Sequence, residues 1–206
     1  MQKPGNSSII NICVIPNENV STNCLSISQS LKSDDTVFVL GGDKFAHMTA
    51  FMARFPNKDI EKVIHNVNLV LARVEPFRCE HVGYFMTEGR YLEVSYKKSE
   101  KFMSLHESLI SAVSELRINP GRPYEEGYFT PYTMEQRLNA KETGYDLARN
   151  LYRPHITLTR YKENLVPNLF PAFPQVDLSF DIYKVCVYKA DYNGAVYEKL
   201  SEYIIN

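Results

Sequence analysis

The sequence has few of the residues that build a disulfide frame or a metal site. It contains four cysteines, with no Cys-x-x-Cys pair and no regular spacing, so it lacks the pattern of disulfide-rich secreted domains and zinc sites. The histidines have no carboxylate or cysteine at metal-ligand spacing in a suitable context. We therefore expect free thiols, a reducing cytoplasmic compartment, and neither a metal nor another cofactor.

Neither sign of charge dominates, and long hydrophobic runs are missing. Lys and Arg number 23 against 24 Asp and Glu, for a formal net charge of -1, so the chain exerts no long-range attraction on nucleic acid or an anionic membrane. No apolar stretch approaches the roughly 18 residues of a membrane span, and the first ten residues have no signal-peptide core. We expect a globular protein that does not bind membranes and that holds any phosphate through local groups.

What the chain does contain is a mixture of strand and helix patterns. Segments rich in β-branched and aromatic residues, bounded by turn signals, predict strands at 8–15, 36–40, 45–55, 81–86 and 90–96. Apolar residues at helical spacing predict amphipathic helices within 57–74 and 99–116. Thr133 and Gln136 predict a capping box for a further helix that falters at Gly144. Asn193-Gly194 predicts a hairpin near the C-terminus.

Residues 119–132 have no periodic apolar face and predict a connector between two halves of the chain. Its prolines, glycines and aromatic residues allow two interpretations. The aromatic side chains could stack a nucleobase beneath a moving loop, or they could pack the two halves together. The aromatic residues concerned are Tyr124, Tyr128, Phe129 and Tyr132.

Two of the five histidines share one setting, in "FAHMTAF" (45–51) and "RPHITLTRY" (153–161). Because side chains alternate along a strand, His47 and Thr49 lie on one face, as do His155 and Thr157. Alternation predicts that Ala46, Met48, Ala50 and Met52 face the core behind the first motif, and Ile156 and Leu158 behind the second. It assigns Phe45 and Phe51 to the first His face, and Arg153, Thr159 and Tyr161 to the second.

A His-Thr pair on each side of a cleft suits phosphate ester chemistry without a metal. One imidazole can take a proton from an attacking water or hydroxyl while the other gives a proton to the leaving oxygen. The Thr hydroxyls can donate to the non-bridging phosphate oxygens. A structural alternative remains, in which each His bonds a neighbouring Thr hydroxyl as a satisfied polar pair.

Other residues near the motifs are candidates for substrate binding. Phe45, Phe51 and Tyr161 flank the motifs and are candidates to line the cleft, and Arg153 either binds a terminal phosphate or is a surface residue without a role. We expect structural positions for the remaining histidines, with His65 and His106 on the surface or flank of helices and His81 in a strand.

The paired His-x-Thr motifs resemble those of the 2H phosphoesterase superfamily, and "RPHITLTR" is especially similar to the 2′-5′ RNA ligase and cyclic phosphodiesterase branch. The resemblance implies an α+β fold of two pseudo-symmetric lobes, each a small, mainly antiparallel sheet backed by helices, with the active cleft between the sheets. It implies one bilobal domain over residues 1–206, with a tail at about 1–8. It also implies that His47, Thr49, His155 and Thr157 surround the scissile phosphate.

That resemblance carries further expectations about activity. It implies metal-independent action on 2′,3′-cyclic phosphates, 2′-5′ linkages or related cyclic nucleotides. The sequence after His47, "MTAFMARF", departs from the Leu and Phe-Leu-Gly tail more usual in the ligase-like branch, which leaves the subfamily open. Arg160 occupies a position that is commonly Arg in that branch, yet alternation assigns it to the Ile156 face, away from the substrate.

Three functional classes follow, of which we favour the first. This is a monomeric phosphodiesterase acting on RNA ends, oligonucleotides or cyclic nucleotides, with RNA ligation as the reverse of one such step. The second is a non-catalytic protein that binds RNA ends or nucleotides. The third is a two-lobed scaffold for protein contacts with structural His-Thr pairs. The first is favoured because neither His and neither Thr is replaced.

Overall fold

The computed structural model describes residues 6–118, 132–162 and 176–206, which form an α+β fold with two four-stranded antiparallel sheets. The strands are β1 Ser7–Val14, β2 Thr36–Val39, β3 Met48–Pro56, β4 Arg78–Cys79, β5 His81–Met86, β6 Tyr91–Tyr96, β7 His155–Tyr161, β8 Phe180–Asp181, β9 Lys184–Ala190 and β10 Val196–Ile204. The helices are α1 Glu18–Ser30, α2 Ile60–Leu71, α3 Glu100–Val113 and α4 Met134–Thr143.

The two His-x-Thr motifs lie in different sheets. The first sheet has the order β10-β9-β1-β3, the second has the order β2-β7-β6-β5, and β4 pairs with β8 in a small third sheet. The first motif leads into β3 at an edge of its sheet, and the second opens β7 inside its sheet. Strands β3 and β7 contact each other, so the fold brings the two motifs together.

Helices cover each sheet, and two of them pack on the sheet other than the one that contains the strand before them in the chain. Helix α1 follows β1 of the first sheet but packs against β7 and β2 of the second, whereas α3 follows β6 of the second sheet and packs against β3 of the first. Helix α2 packs on α3 and contacts β10. Buried apolar residues of both sheets and these helices form one cluster. The expected two-lobed α+β class is confirmed.

Most predicted elements are present at their expected places. The five predicted strands and both amphipathic helices form, Thr133 and Gln136 make a full capping box, and α4 ends at Gly144 with φ 83°. Asn193-Gly194 lies between the paired strands β9 and β10. Helix α1 was not predicted, because its apolar stripe is narrow: its buried residues are Val20, Cys24, Ile27 and Ser28.

Each motif strand contains a β-bulge one residue after its motif threonine. In the β1–β3 pair, Ile12 is opposite Phe51 and Cys13 is opposite Thr49, so Ala50 has no partner. In the β6–β7 pair, Leu92 is opposite Thr159 and Glu93 is opposite Thr157, so the residue between the two threonines has none. An extra residue reverses the alternation of side chains beyond it. The pattern expected from simple alternation therefore holds through the bulge residues, since Ala50 and Leu158 are buried as expected, and changes after them.

The first bulge corrects one assignment. Phe51 is fully buried and packs against His106 and Tyr145, on the core side, so it does not line the cleft as expected. Met52 is buried as expected, at 4% exposure, and its side chain lies beside Gly194.

The second bulge has the same effect in β7. Thr159 and Tyr161 are buried, at 0% and 3% exposure, so Tyr161 is not a cleft residue. Arg160 instead shares a face with Tyr91 of β6, over which its guanidinium lies at 5.0 Å from the ring centroid. The expectation that Arg160 faces the core was wrong, because it assumed an unbroken strand.

Two expectations from composition can also be compared with the structure. All four cysteines are buried and free. None of the helices within the described ranges combines the length and hydropathy that crossing a bilayer requires.

Candidate active site

The two motif histidines are held in the same way by the chain just before them. The Nδ1 atom of His47 lies 3.0 Å from the Phe45 carbonyl, and that of His155 lies 2.7 Å from the Arg153 carbonyl. Because a carbonyl oxygen only accepts, Nδ1 carries the proton in both rings. This leaves Nε2 of each ring as the nitrogen that can exchange a proton with a ligand.

The two histidines are close enough to influence each other. Burial lowers the pKa of His47 below its usual value, and a positive charge on His155 lowers it further, while the carbonyls of Phe45 and Gly194 act to raise it. The net lowering favours a neutral His47 near neutral pH.

The hydroxyl of Thr49 is oriented from behind by Asn11 of β1. The fully buried Asn11 donates from Nδ2 to Thr49 Oγ1 at 3.0 Å and to the Gly194 carbonyl at 3.2 Å. Since Oγ1 accepts this bond, its own proton is free to be donated to a ligand. Asn11 was not predicted as a site residue, although a lone amide within the apolar strand "SIINICVI" is a recognisable signal.

His155 has a carboxylate beside it. Glu93 of β6 is 4% exposed, and its Oε1 lies 3.5 Å from His155 Nε2 while its Oε2 lies 3.2 Å from Arg153 Nη2. Glu93 also lies opposite Thr157 in the strand register. Glu93 was not predicted as a site residue, because one acidic residue in "YLEVSY" fits an ordinary solvent-facing position.

Aromatic rings lie beside both histidines. The Phe45 ring is 5.6 Å from that of His47 and 5.5 Å from that of Tyr188, and 37% of Phe45 is exposed. On the other side, the Arg153 guanidinium lies 4.6 Å from the ring centroid of Phe85, which is 46% exposed. Phe85 was not predicted as a site residue.

Of the four aromatic residues of the connector, Tyr132 is the one that lies within the described residues. Tyr132 is 4% exposed, which favours packing over stacking on a ligand. Tyr124 lies outside the described residues, as do Tyr128 and Phe129.

A third histidine supports the site from within the core. His106 of α3 lies with Nδ1 2.6 Å from the carbonyl of the bulge residue Ala50, and its Nε2 accepts from the Arg149 backbone N–H at 3.0 Å. Its ring stacks on Tyr152 at 3.9 Å, and the Tyr152 hydroxyl donates to the Thr49 carbonyl at 2.8 Å. Burial lowers the pKa of His106 to about 4. The expected surface position of His106 was wrong.

The described residues were also compared with the geometry that a metal ion needs. Over 6–118, 132–162 and 176–206, no group of three or more His, Cys, Asp or Glu side chains could hold a metal ion. His65 is exposed on α2, and His81 is partly buried in β5.

Comparison with known proteins gives one family and several structures of the same fold. The family model described as "2'-5' RNA ligase superfamily" matches residues 40–194. The structure of E. coli LigT complexed with NADP+ is 11% identical, with a TM-score of 0.63, and the match covers 97% of this chain and 98% of LigT. TT0787 of Thermus thermophilus is 20% identical, with a TM-score of 0.60, covering 96% and 97% of the two chains. No curated protein matches the sequence.

Proposed function

Because this chain belongs to the 2′-5′ RNA ligase superfamily of 2H phosphoesterases, we propose that it is a metal-independent phosphodiesterase. Its substrates are cyclic phosphates or 2′-5′ phosphodiester bonds in RNA ends or small nucleotides, and His47 and His155 carry out acid–base catalysis. The observation that carries this proposal is the matched hydrogen bonding of the two histidines, each with Nδ1 on the carbonyl two residues earlier and Nε2 left for proton transfer.

The proposed reaction needs two proton transfers and one bond exchange at phosphorus. One imidazole takes a proton from a water molecule as the water oxygen bonds to phosphorus. The bond from phosphorus to the leaving oxygen breaks, and the other imidazole protonates that oxygen. Thr49 and Thr157 donate to the non-bridging oxygens, on which negative charge increases in the transition state.

The surrounding side chains support a nucleotide as the substrate. Arg153 offers a guanidinium for a terminal phosphate, and Phe45 and Phe85 offer exposed rings on which a base can stack. The solved E. coli LigT structures include complexes with 3′-AMP, ATP and NADP+, which further supports nucleotide binding in this fold. We propose that the enzyme acts as a monomer in the cytoplasm.

Hydrolysis is expected to survive chelation. Both proton transfers are assigned to imidazoles, so incubating the protein with 2′,3′-cyclic nucleotides and 2′-5′ oligoadenylate in EDTA should give the same rate as without EDTA. The rate of product release by chromatography measures this. Complete loss of activity in EDTA, with recovery on adding a divalent ion, would overturn the mechanism. Binding of these ligands without any turnover would instead identify a non-catalytic nucleotide-binding protein.

The dependence of kcat/KM on pH is expected to be bell-shaped around neutrality. One His must be neutral and the other protonated in the same cycle, so the rate falls when the base gains a proton and when the acid loses one. Initial rates with a 2′,3′-cyclic nucleotide across the pH range measure both limbs. A flat profile between about pH 5 and 9 would show that these histidines do not perform the proton transfers.

A further inference from the structure

A buried tyrosine joins the two chain segments that carry the His-Thr pairs. Tyr152 lies three residues before His155, and its hydroxyl donates to the carbonyl of Thr49 at 2.8 Å. Tyr152 and Thr49 are 103 positions apart in the sequence. This hydrogen bond therefore connects the chain just before the second motif to the backbone of the first.

We propose that Tyr152 and His106 are positioning residues that set the distance and the angle between the two His-Thr pairs. Both side chains act through the backbone of the motif segments, behind the cleft. This inference rests on the function proposed above, because that distance affects the rate when both pairs bind one phosphate.

His106 makes the same connection a second time. Its Nδ1 donates to the carbonyl of Ala50, the residue after Thr49, at 2.6 Å. Its Nε2 accepts from the backbone N–H of Arg149 at 3.0 Å, three residues before Tyr152. One imidazole ring therefore bonds the backbone of both motif segments. The ring also stacks on Tyr152 at 3.9 Å with the two planes 11° apart, which restricts the direction of the tyrosine hydroxyl.

The bonds of His106 reach the backbone at two irregular points. Ala50 is the bulge residue of β3, and a bulge changes the direction of the side chains beside it. Arg149 has a φ of 55°, a left-handed conformation that is costly for a residue with a side chain. Such conformations persist where the surrounding structure holds them, and they are frequent at active sites. The orientation of Thr49 and the path of the chain into the second motif thus depend on one ring.

Burial makes these hydrogen bonds effective constraints. Tyr152 is 1% exposed and His106 is 0% exposed, so water does not replace a partner that is lost. Acid–base catalysis at one phosphate requires both histidines within hydrogen-bond reach of the reacting oxygens. A misplacement of about 1 Å can lower the rate by about 10²-fold. Groups buried behind the cleft hold this geometry without occupying the space of the substrate.

Tyr152→Phe tests the role with a small change, because it removes the hydroxyl and keeps the ring against His106. We expect kcat/KM on a 2′,3′-cyclic nucleotide to fall by about 10- to 100-fold, mainly through kcat. Tyr96→Phe is the matched control. The buried Tyr96 also donates from its hydroxyl to a backbone carbonyl, that of Leu178 at 3.1 Å, but this bond joins other segments of the chain. The control should lose stability and keep its kcat/KM per folded molecule.

A double-mutant cycle separates positioning from a general loss of structure. If Tyr152 acts by placing Thr49, Tyr152→Phe should lower kcat/KM by a smaller factor in the Thr49→Ala background than in wild type. A purely structural role would give the same factor in both backgrounds. Equal factors, or a wild-type kcat/KM in Tyr152→Phe, would overturn the positioning role.

Hydrogen exchange followed by mass spectrometry tests the connection without turnover. In Tyr152→Phe the backbone amides of both motif segments, 45–52 and 149–157, should exchange faster than in wild type, and in Tyr96→Phe both should exchange as in wild type. Faster exchange in only one segment, or in neither, would show that the bond does not connect them.

His106→Phe gives a second variant for the same measurements. It keeps a ring against Tyr152 and removes both backbone bonds, so we expect the same losses in kcat/KM and in protection from exchange, even if Tyr152→Phe does not fold. If both segments respond in the exchange measurement but the wild-type protein hydrolyses no substrate, the proposed function fails. The catalytic role of the two residues fails with it, and the structural connection between the motifs stands.

Discussion

Replacing His47 or His155 with alanine should lower kcat/KM by about 10²- to 10⁴-fold, the loss typical of removing a general acid or base. The variants should melt near the wild-type temperature, because neither side chain belongs to the buried core. Thr49→Ala and Thr157→Ala each remove one donor to phosphate, and we expect a smaller loss from them. Steady-state rates on a 2′,3′-cyclic nucleotide and thermal melts followed by circular dichroism measure both effects.

His65→Ala is the matched control for these variants, since His65 is exposed on α2 and outside the site. The double variant of His47 and His155 should lose less activity than the product of the two single losses, because the two rings act in one cycle. Full activity in either single variant on every cyclic and 2′-5′ substrate tried, or failure of that variant to fold, would mean that the paired motifs are structural.

Replacing His106 with alanine should lower the free energy of unfolding by about 3–5 kcal/mol, the second large effect that we expect. The substitution leaves the Ala50 carbonyl and the Arg149 N–H without their buried partner, and it opens a cavity beside Tyr152. Chemical denaturation measures the change. His106→Phe should separate the two causes, because it keeps a ring against Tyr152 and loses both hydrogen bonds.

The stabilising effect of His106 should also depend on pH. Burial lowers its pKa to about 4, whereas the unfolded chain binds the proton near the ordinary value of about 6.5. The neutral ring therefore contributes its full stability above about pH 6.5, and this contribution is lost as pH falls towards 4, by up to about 3 kcal/mol. Wild type should consequently lose more stability than His106→Phe between pH 7 and 4.5. Equal losses in the two proteins, or a His106→Ala variant as stable as His65→Ala, would contradict this role.

Sequence periodicity predicted the strands that carry the two motifs, because each strand has a buried face with a clear apolar pattern up to its threonine. It could not predict how the faces change beyond the two bulge residues. The bulges at Ala50 and Leu158 have no glycine or other local signature, and they depend on the register of the neighbouring strand. Simple alternation therefore placed Phe51 and Tyr161 in the cleft and Arg160 in the core, which is the reverse of what the structure shows.

The polar residues behind the motifs were missed for a related reason. Asn11 and Glu93 belong to strands that are far from the motifs in sequence, and each is significant only through a partner across a strand pair. His106 was assigned to a helix surface, because its position on α3 gave no sign that a backbone carbonyl from β3 would contact its ring. Contacts between distant segments are the part of the site that one sequence leaves undetermined.

The bond between Asn11 and Gly194 has a consequence for how the protein is made. The two residues are separated by 183 positions, so Asn11 leaves the ribosome well before its partner. Contacts of such long range form slowly, because the chain between the two residues must first be closed into a loop. Until then, nothing from the β9–β10 turn holds the amide that orients Thr49. A nascent chain can therefore collapse around its earlier strands and helices, but it cannot have a complete phosphate site before the β9–β10 hairpin is released.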